Sequence, residues 1–208
     1  MIVEHGQLLA DYAGIFCVLR HQTVLVSAPR ALVGTVSGWC PSIDTVMDPQ
    51  WWSDRLPDWL VLGPSVHSFL DRPAFLPAAS GGIAVRAARR DDLDRLIDQV
   101  THAEWEESGF ADDDDAHAWV ALDQHGRPMA AAKLTVFDGV PADVGVLAAG
   151  IGRGRGFATA VAATAARHAV AHHGIARWRA LATNAPSRRI AEKLGFEDDC
   201  LQLAIRPA

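Results

Sequence analysis

The sequence predicts an α/β fold, with a mixed, mostly antiparallel sheet and helices on both faces, preceded by an α+β segment. Three observations predict it. From residue 83 onward, apolar periodicities of 2 and 3.6 succeed one another in the order strand, helices, three strands, helix, strand, helix, strand. The glycine-rich run Arg153-Gly154-Arg155-Gly156 separates a strand pattern from the longest helical pattern. The composition shifts near Ser80-Gly81-Gly82, after a stretch that holds two prolines and three alanines between residues 71 and 79. The chain is therefore divided into residues 1–80, an N-terminal α+β domain or extension, and residues 83–208, the main domain.

In the N-terminal part, residues 23–27 and 60–62 alternate as strands do. Trp51, Trp52, Leu56 and Trp59 fall in or near a helical stretch and are read as core or interface residues. Gly63-Pro64 reads as a turn. In the main domain, residues 83–85 form a short strand. Asp91 and Asp92 open a helix where the dipole favours acids, and Leu93, Leu96, Ile97 and Val100 give it one apolar stripe. A second short helix covers residues 102–107. Strands follow at 118–122, 129–137 and 143–149. Turn chemistry separates them at residues 123–126, and Asp138-Gly139 gives a hairpin signal. A helix spans about 156–173 and is closed by Gly174. Residues 177–183 form a strand, a helix begins near Pro186 and ends by Gly195, and Leu201, Leu203 and Ile205 alternate in a last strand.

Half of the 208 residues are hydrophobic, enough for a core that needs no disulfide or metal staple. A formal charge of −6 argues against a general nucleic-acid binder. Cys17, Cys40 and Cys200 are odd in number and lie at no metal-ligand spacing, which reads as thiols in a reducing cytoplasm. The start at Met1-Ile2-Val3 lacks a signal-peptide pattern, and no apolar run approaches the ~20 residues of a membrane span. A cytoplasmic location is expected, with no membrane or nucleic-acid partner. His168 and His172, four apart with His173 following, have a spacing that can bind metal, but no further ligand accompanies them. No metal is expected.

The chemistry centres on Arg153-Gly154-Arg155-Gly156-Phe157-Ala158. Glycines let the backbone approach a ligand closely, their N–H groups and the helix N-terminus suit an anion, and the two arginines add charge-assisted contacts. A pyrophosphate fits. The run lacks the Gly-Lys-Ser/Thr ending of a P-loop, and the three strands before it do not fit a dinucleotide-binding first unit.

These residues resemble the Arg/Gln-x-x-Gly-x-Gly/Ala loop of the GNAT superfamily of N-acetyltransferases. Thr183-Asn184-Ala185-Pro186-Ser187 with Ala191-Glu192-Lys193-Leu194-Gly195-Phe196 is similar to that family's closing passage. Asp143-Val144-Gly145-Val146-Leu147 resembles the strand that runs along the pantetheine arm, and Ile83-Ala84-Val85-Arg86 with Asp91-Asp92-Leu93 the opening. The resemblance covers about residues 83–206, and residues 1–80 are open to being a degenerate GNAT-like half or an unrelated extension. It implies acetyl-CoA as co-substrate, held by Val146, Leu147, Ala148, the loop from Arg153 to Ala158, Asn184 and Ser187. It implies acetyl transfer to an amine, on a small molecule or a peptide, by direct attack in a ternary complex; a homodimer is compatible with it.

Two departures stand out. Where many members carry a tyrosine near the leaving thiolate, this chain has Ala191, and the proline common before the loop is Gly150. The first leaves the acid open between Ser187, a water and no side chain, since a thiol of pKa about 8.5 leaves readily. The alternative is an acyl-CoA-binding sensor or partner module without turnover. Candidate bases are Glu106, Glu107 and Asp143. Glu104, Glu106, Glu107 and Asp112 to Asp115 form an acidic stretch with no basic residue between them, weighed between a rim that attracts a cationic amine and a solvated loop.

Overall fold

β1 (Ile2–Glu4), β2 (Ile15–Arg20) and β3 (Thr23–Ala28) open the chain. The computed structural model describes residues 1–39, 41–72, 82–110, 117–137 and 139–208. β2 and β3 form an antiparallel hairpin turned by His21 and Gln22, both at positive φ, and β1 lies parallel to β3. α1 (Arg30–Gly38), α2 (Ile43–Val46) and α3 (Pro49–Ser53) follow; the side chains of Ser42 and Asp48 accept backbone N–H groups at the starts of α2 and α3. β4 (Trp59–Leu70) then runs straight through Gly63-Pro64, where a turn is expected from the sequence. Gly63 takes φ +110°, and a Cβ there would lie 2.7 Å from the Gln202 carbonyl oxygen. Glycine tolerates this backbone conformation, so the strand continues without ending.

The main-domain elements are β5 (Ala84–Ala87), α4 (Arg90–Ile97), α5 (His102–Glu107), β6 (Ala118–Leu122), β7 (Pro128–Phe137), β8 (Val140–Ala148), α6 (Phe157–His173), β9 (Ala176–Leu181), α7 (Ala185–Lys193) and β10 (Glu197–Pro207). They follow the predicted order, with shifts of a few residues at their ends. α6 is alanine-rich, which suits a helix, and most of its alanines are buried. Gly174 closes it in the left-handed conformation, its N–H donating to the Val170 carbonyl.

The chain folds into two compact units, and neither is contiguous. The first contains Met1–His67, Ala180–Ala185 and Asp198–Ala208, the second Ser68–Arg179 and Pro186–Glu197. The expected division at residues 80–83 is therefore crossed by the later chain. The cause lies in β10. Its Leu203 and Ile205 stand opposite Cys17 and Ile15 of β2 in antiparallel register, and all four are fully buried with Val26, Val36 and Trp52. The tryptophans expected in a core are found there. Trp52 is buried and donates its indole N–H to the Val46 carbonyl at 2.9 Å, with Trp39 and Trp51 edge-on to it. Cys17 sits in this core, where burial pushes its thiol up to about 12; Cys200 is half-buried, and Cys40 lies outside the described residues.

Within the first unit the strand order is β1-β3-β2-β10-β4, and within the second β9-β8-β7-β6-β5. The strands of the second unit pair antiparallel except for β8 and β9, which run parallel. One face of it packs Val120, Ala131, Leu147 and Ala149 against Leu93 and Leu96 of α4 and against Phe110. α6 packs on β6, β7 and β8. Among the described residues no helix is long and apolar enough to cross a membrane.

Candidate functional site

β8 carries two neighbours of unlike kind. Toward β7 it is paired along its length, from Phe137↔Val140 to Ala130↔Ala148. Toward β9 it has one rung among the described residues, Asp143↔Arg177. Parallel strands that meet once part beyond the meeting point. The backbone of residues 144–148, which includes Val146, Leu147 and Ala148, is thus left available on the β9 side. Leu147 points into the apolar core and Ala149 is fully buried, which fixes the strand in place.

The chain leaves β8 through a 3-10 turn, Gly150–Gly152, and enters the glycine-rich loop. Gly154 takes φ +73° and Gly156 φ +87°, conformations that cost other residues about 1 kcal/mol or more. Gly156 is the N-cap of α6 and has no side chain to accept the first-turn amides. The N–H groups of Phe157, Ala158 and Thr159 have no partner within the helix, and the helix dipole adds about half a positive charge. Phe157 is buried and anchors the turn. The arrangement at the open end of the β8–β9 parting presents unpaired amides and the positive end of a helix dipole, the chemistry that suits an anion.

The two loop arginines behave differently. Arg155 is exposed, with its guanidinium 5.3 Å from the Phe157 ring centroid. Arg153 is held by Glu104 at 2.5 Å. The Glu104 carboxylate also accepts the Thr101 N–H and hydroxyl, at 2.9 and 3.0 Å, which caps α5. The Thr101 N–H is the chief reason its carboxyl lies below the usual range, and Arg153 adds to the effect. The acidic stretch, without basic neighbours in sequence, is therefore partly neutralised in space. Glu106 pairs with His102 at 3.3 Å on the exposed face of α5. Asp112 to Asp115 lie outside the described residues.

Around the single rung the second unit buries charge. Asp143 and Arg177 approach to 3.4 Å and are both largely covered. Burial raises the Asp143 carboxyl above its ordinary value, against the opposing pull of Arg177 and Arg179. The Thr135 hydroxyl donates to the Asp143 carbonyl at 3.3 Å. On β7, Lys133 is fully buried opposite Gly145, with its ammonium 5.5 Å from the Phe110 ring centroid. A Cβ on Gly145 would come 2.2 Å from the Ser108 carbonyl oxygen, so the end of α5 lies directly on β8. Of the three candidate bases, Asp143 is the one at the rung. Glu107 precedes the Ser108 that touches Gly145, and Glu106 is engaged with His102. Lys133 and Arg177 escaped the sequence reading. The signal for Lys133 was a lysine inside the apolar run from Met129 to Leu134.

Ser187, near the start of α7, accepts the Trp178 indole N–H at 3.0 Å. Asn184 belongs to the first unit, in a turn where its N–H donates to the Leu181 carbonyl. Ala191 is buried in α7 and presents no hydroxyl. His168 stacks on His172 at 4.0 Å, with His117 at 5.2 Å; desolvation first, and then the neighbouring histidines, lower the His168 pKa. Among the described residues no group of three or more His, Cys, Asp or Glu is disposed to hold a metal ion.

The family model for the acetyltransferase (GNAT) domain matches residues 82–197. No curated protein matches the chain in sequence. Solved structures share its fold at low identity. An acetyltransferase from the GNAT family of Colwellia psychrerythraea has 15% identity and a TM-score of 0.52, over 76% of this chain and 62% of that one. A GCN5-related N-acetyltransferase-like protein from Streptococcus suis 89/1591 has 16% identity and a TM-score of 0.51, over 88% and 70%. A tandem GNAT protein from the clavulanic acid biosynthesis pathway has 16% identity and a TM-score of 0.51, over 79% of this chain and 59% of its own length.

Proposed function

Because the chain belongs to the GNAT acetyltransferase family, whose domain model matches more than half of it, we propose that it moves an acetyl group from acetyl-CoA to an amine by direct attack in a ternary complex. The observation that carries this reading is the uncapped, glycine-turned start of α6 at the open end of the β8–β9 parting. The pyrophosphate sits on the amides of residues 154–158, with Arg155 and, once released from Glu104, Arg153 on its oxygens. The pantetheine arm lies along residues 144–148, and its amide groups pair with the strand edge that β9 leaves open. A backbone N–H at Val146 or Leu147 polarises the thioester carbonyl and stabilises the oxyanion as the amine attacks.

The amine must lose its ammonium proton before it attacks. Asp143 is the base favoured here. It stands at the rung where the strands part, and burial raises its carboxyl toward the range in which a base works near neutral pH. The intermediate collapses with loss of the CoA thiolate, which needs little acid assistance. Ser187, or a water, is sufficient if a proton is to be supplied.

Release of free thiol from acetyl-CoA, measured against a panel of amines, tests the reaction. Turnover with any amine supports transfer. The second reading, a module that binds acyl-CoA without turnover, is favoured by one observation: the buried Ala191 offers no acid. It predicts CoA binding by calorimetry with no thiol release for any amine.

A further inference from the structure

Asp143 and Arg177 meet at 3.4 Å, longer than the ~2.7–2.9 Å of a charge-assisted hydrogen bond. Their side chains keep 15% and 11% of their surface, so the pair is covered yet reachable from outside. Oδ1 of Asp143 is the atom nearest the guanidinium, and it is buried without accepting a hydrogen bond among the described residues. A buried carboxylate oxygen in that condition strongly favours a donor.

More positive charge stands close by. Arg179 lies two residues along β9, so its side chain leaves the same face of the strand as that of Arg177; it is exposed, and its charge also acts on Asp143. Lys133, on the same face of β7, is fully buried beside Phe110 and does not reach the surface. Among the described residues the charges open to a ligand at the rung are therefore one carboxylate and two guanidinium groups.

An acceptor amine arrives as an ammonium. If it carries no other charge, it draws Asp143 away and leaves a covered guanidinium short of the counter-charge that Asp143 supplies, which is costly. An acceptor with its own carboxylate replaces both charges at once, and the planar guanidinium suits that carboxylate. In an α-amino acid the two charged groups sit on one carbon, close enough to engage partners that are themselves neighbours.

We propose that the acceptor is an α-amino acid, held by exchange of the Asp143–Arg177 pair, with its ammonium on Asp143 and its carboxylate on Arg177 and Arg179. The inference rests on the acetyl-transfer reading above and names its acceptor class. One ammonium proton passes to Asp143, the nitrogen bonds to the acetyl carbon, the carbon–sulfur bond breaks, and a second nitrogen proton goes to the departing thiolate.

Thiol release from acetyl-CoA tests the proposal with matched acceptors: the common amino acids, the carboxamide of each, and simple alkylamines. The wild type should use at least one free acid over its carboxamide by about 100-fold or more in kcat/KM. The carboxamide has the lower amine pKa and supplies more free amine at neutral pH, so amine ionisation cannot produce that preference. Arg177→Met, shown to be folded by circular dichroism, should lose most of the preference through a raised KM for the acid, with KM for acetyl-CoA unchanged. Arg177→Lys should keep part of it. Carboxamides or alkylamines used as well as the acids overturn the acceptor class while acetyl transfer stands. A folded Arg177→Met that keeps the full preference overturns the exchange. If Arg177→Met does not fold, the wild-type comparison and Arg177→Lys decide in its place. No thiol release with any amine removes the underlying reading as well.

Discussion

Glu104 serves two structures with one side chain. One carboxylate oxygen closes the first turn of α5 through Thr101, and the other holds Arg153. If the pyrophosphate recruits Arg153, it must compete with that carboxylate. An exposed ion pair of this kind is worth about 0.2–1 kcal/mol, so Glu104→Gln should tighten CoA binding by up to about fivefold. The same substitution made on Arg153→Ala should change nothing, and a double-mutant cycle read by calorimetry checks both. Asp143 makes the complementary case for the reaction itself. Its carboxyl is raised, so the acid limb of kcat/KM should lie above the ordinary carboxylate range. Asp143→Asn should lower kcat by about 100- to 10,000-fold, abolish that limb and leave KM for acetyl-CoA nearly unchanged. Steady-state rates across pH decide it. At this scale the sequence singled out Asp143 and the loop arginines by residue type alone. It hid the Glu104–Arg153 and Asp143–Arg177 pairs, which join positions far apart in the chain.

α4 and α6 each begin with a device that can be tested. At α4, Asp92 accepts the Arg89 N–H at 2.8 Å and both Arg86 nitrogens, at 2.6 and 2.9 Å. The Arg86 hydrogen bond is the chief reason its carboxyl lies below the ordinary 3.8. A depressed carboxylate contributes stability that is fully present above that ordinary value and is lost as pH falls through the folded value. Asp92→Asn should therefore cost about 3 kcal/mol at neutral pH and flatten the loss of stability below about pH 4, as urea titrations would report. At α6, Gly156→Asp puts a side chain at φ +87° and a carboxylate at the proposed pyrophosphate position. CoA affinity should fall by about 100-fold or more in a protein that still folds, and unchanged calorimetric affinity would contradict the loop's role. The helices of the second unit were legible because their caps and stripes are local signals. β4 was legible only over residues 60–62, since its Gly63-Pro64 pair has the composition of a turn yet lies inside the strand, with the Gln202 carbonyl close beside Gly63.

For the whole molecule, the decisive fact is that β10 belongs with β2. Leu203 and Ile205 alternate as one face of a strand, yet nothing in their spacing says which neighbouring strand receives them. Composition marked a boundary near residue 80, but partner choice between strands is a long-range property that alternation does not carry. Leu203→Ala should cost about 2–5 kcal/mol, with amide exchange protection lost first in β2 and β3 of the first unit. Uniform loss across both units would instead mean that they unfold as one. The pairing also has a consequence for biogenesis. Ribosomes add about 5–20 residues per second, so β2 waits on the order of ten to thirty seconds, from Arg20 to Glu197, before the strand that covers its edge exists. During that interval Ile15 and Cys17 lie on an open strand edge in the nascent chain. Neighbouring chains on one polysome can pair with that edge, which makes the speed of translation, as well as the energy of the finished fold, a determinant of how much protein is recovered.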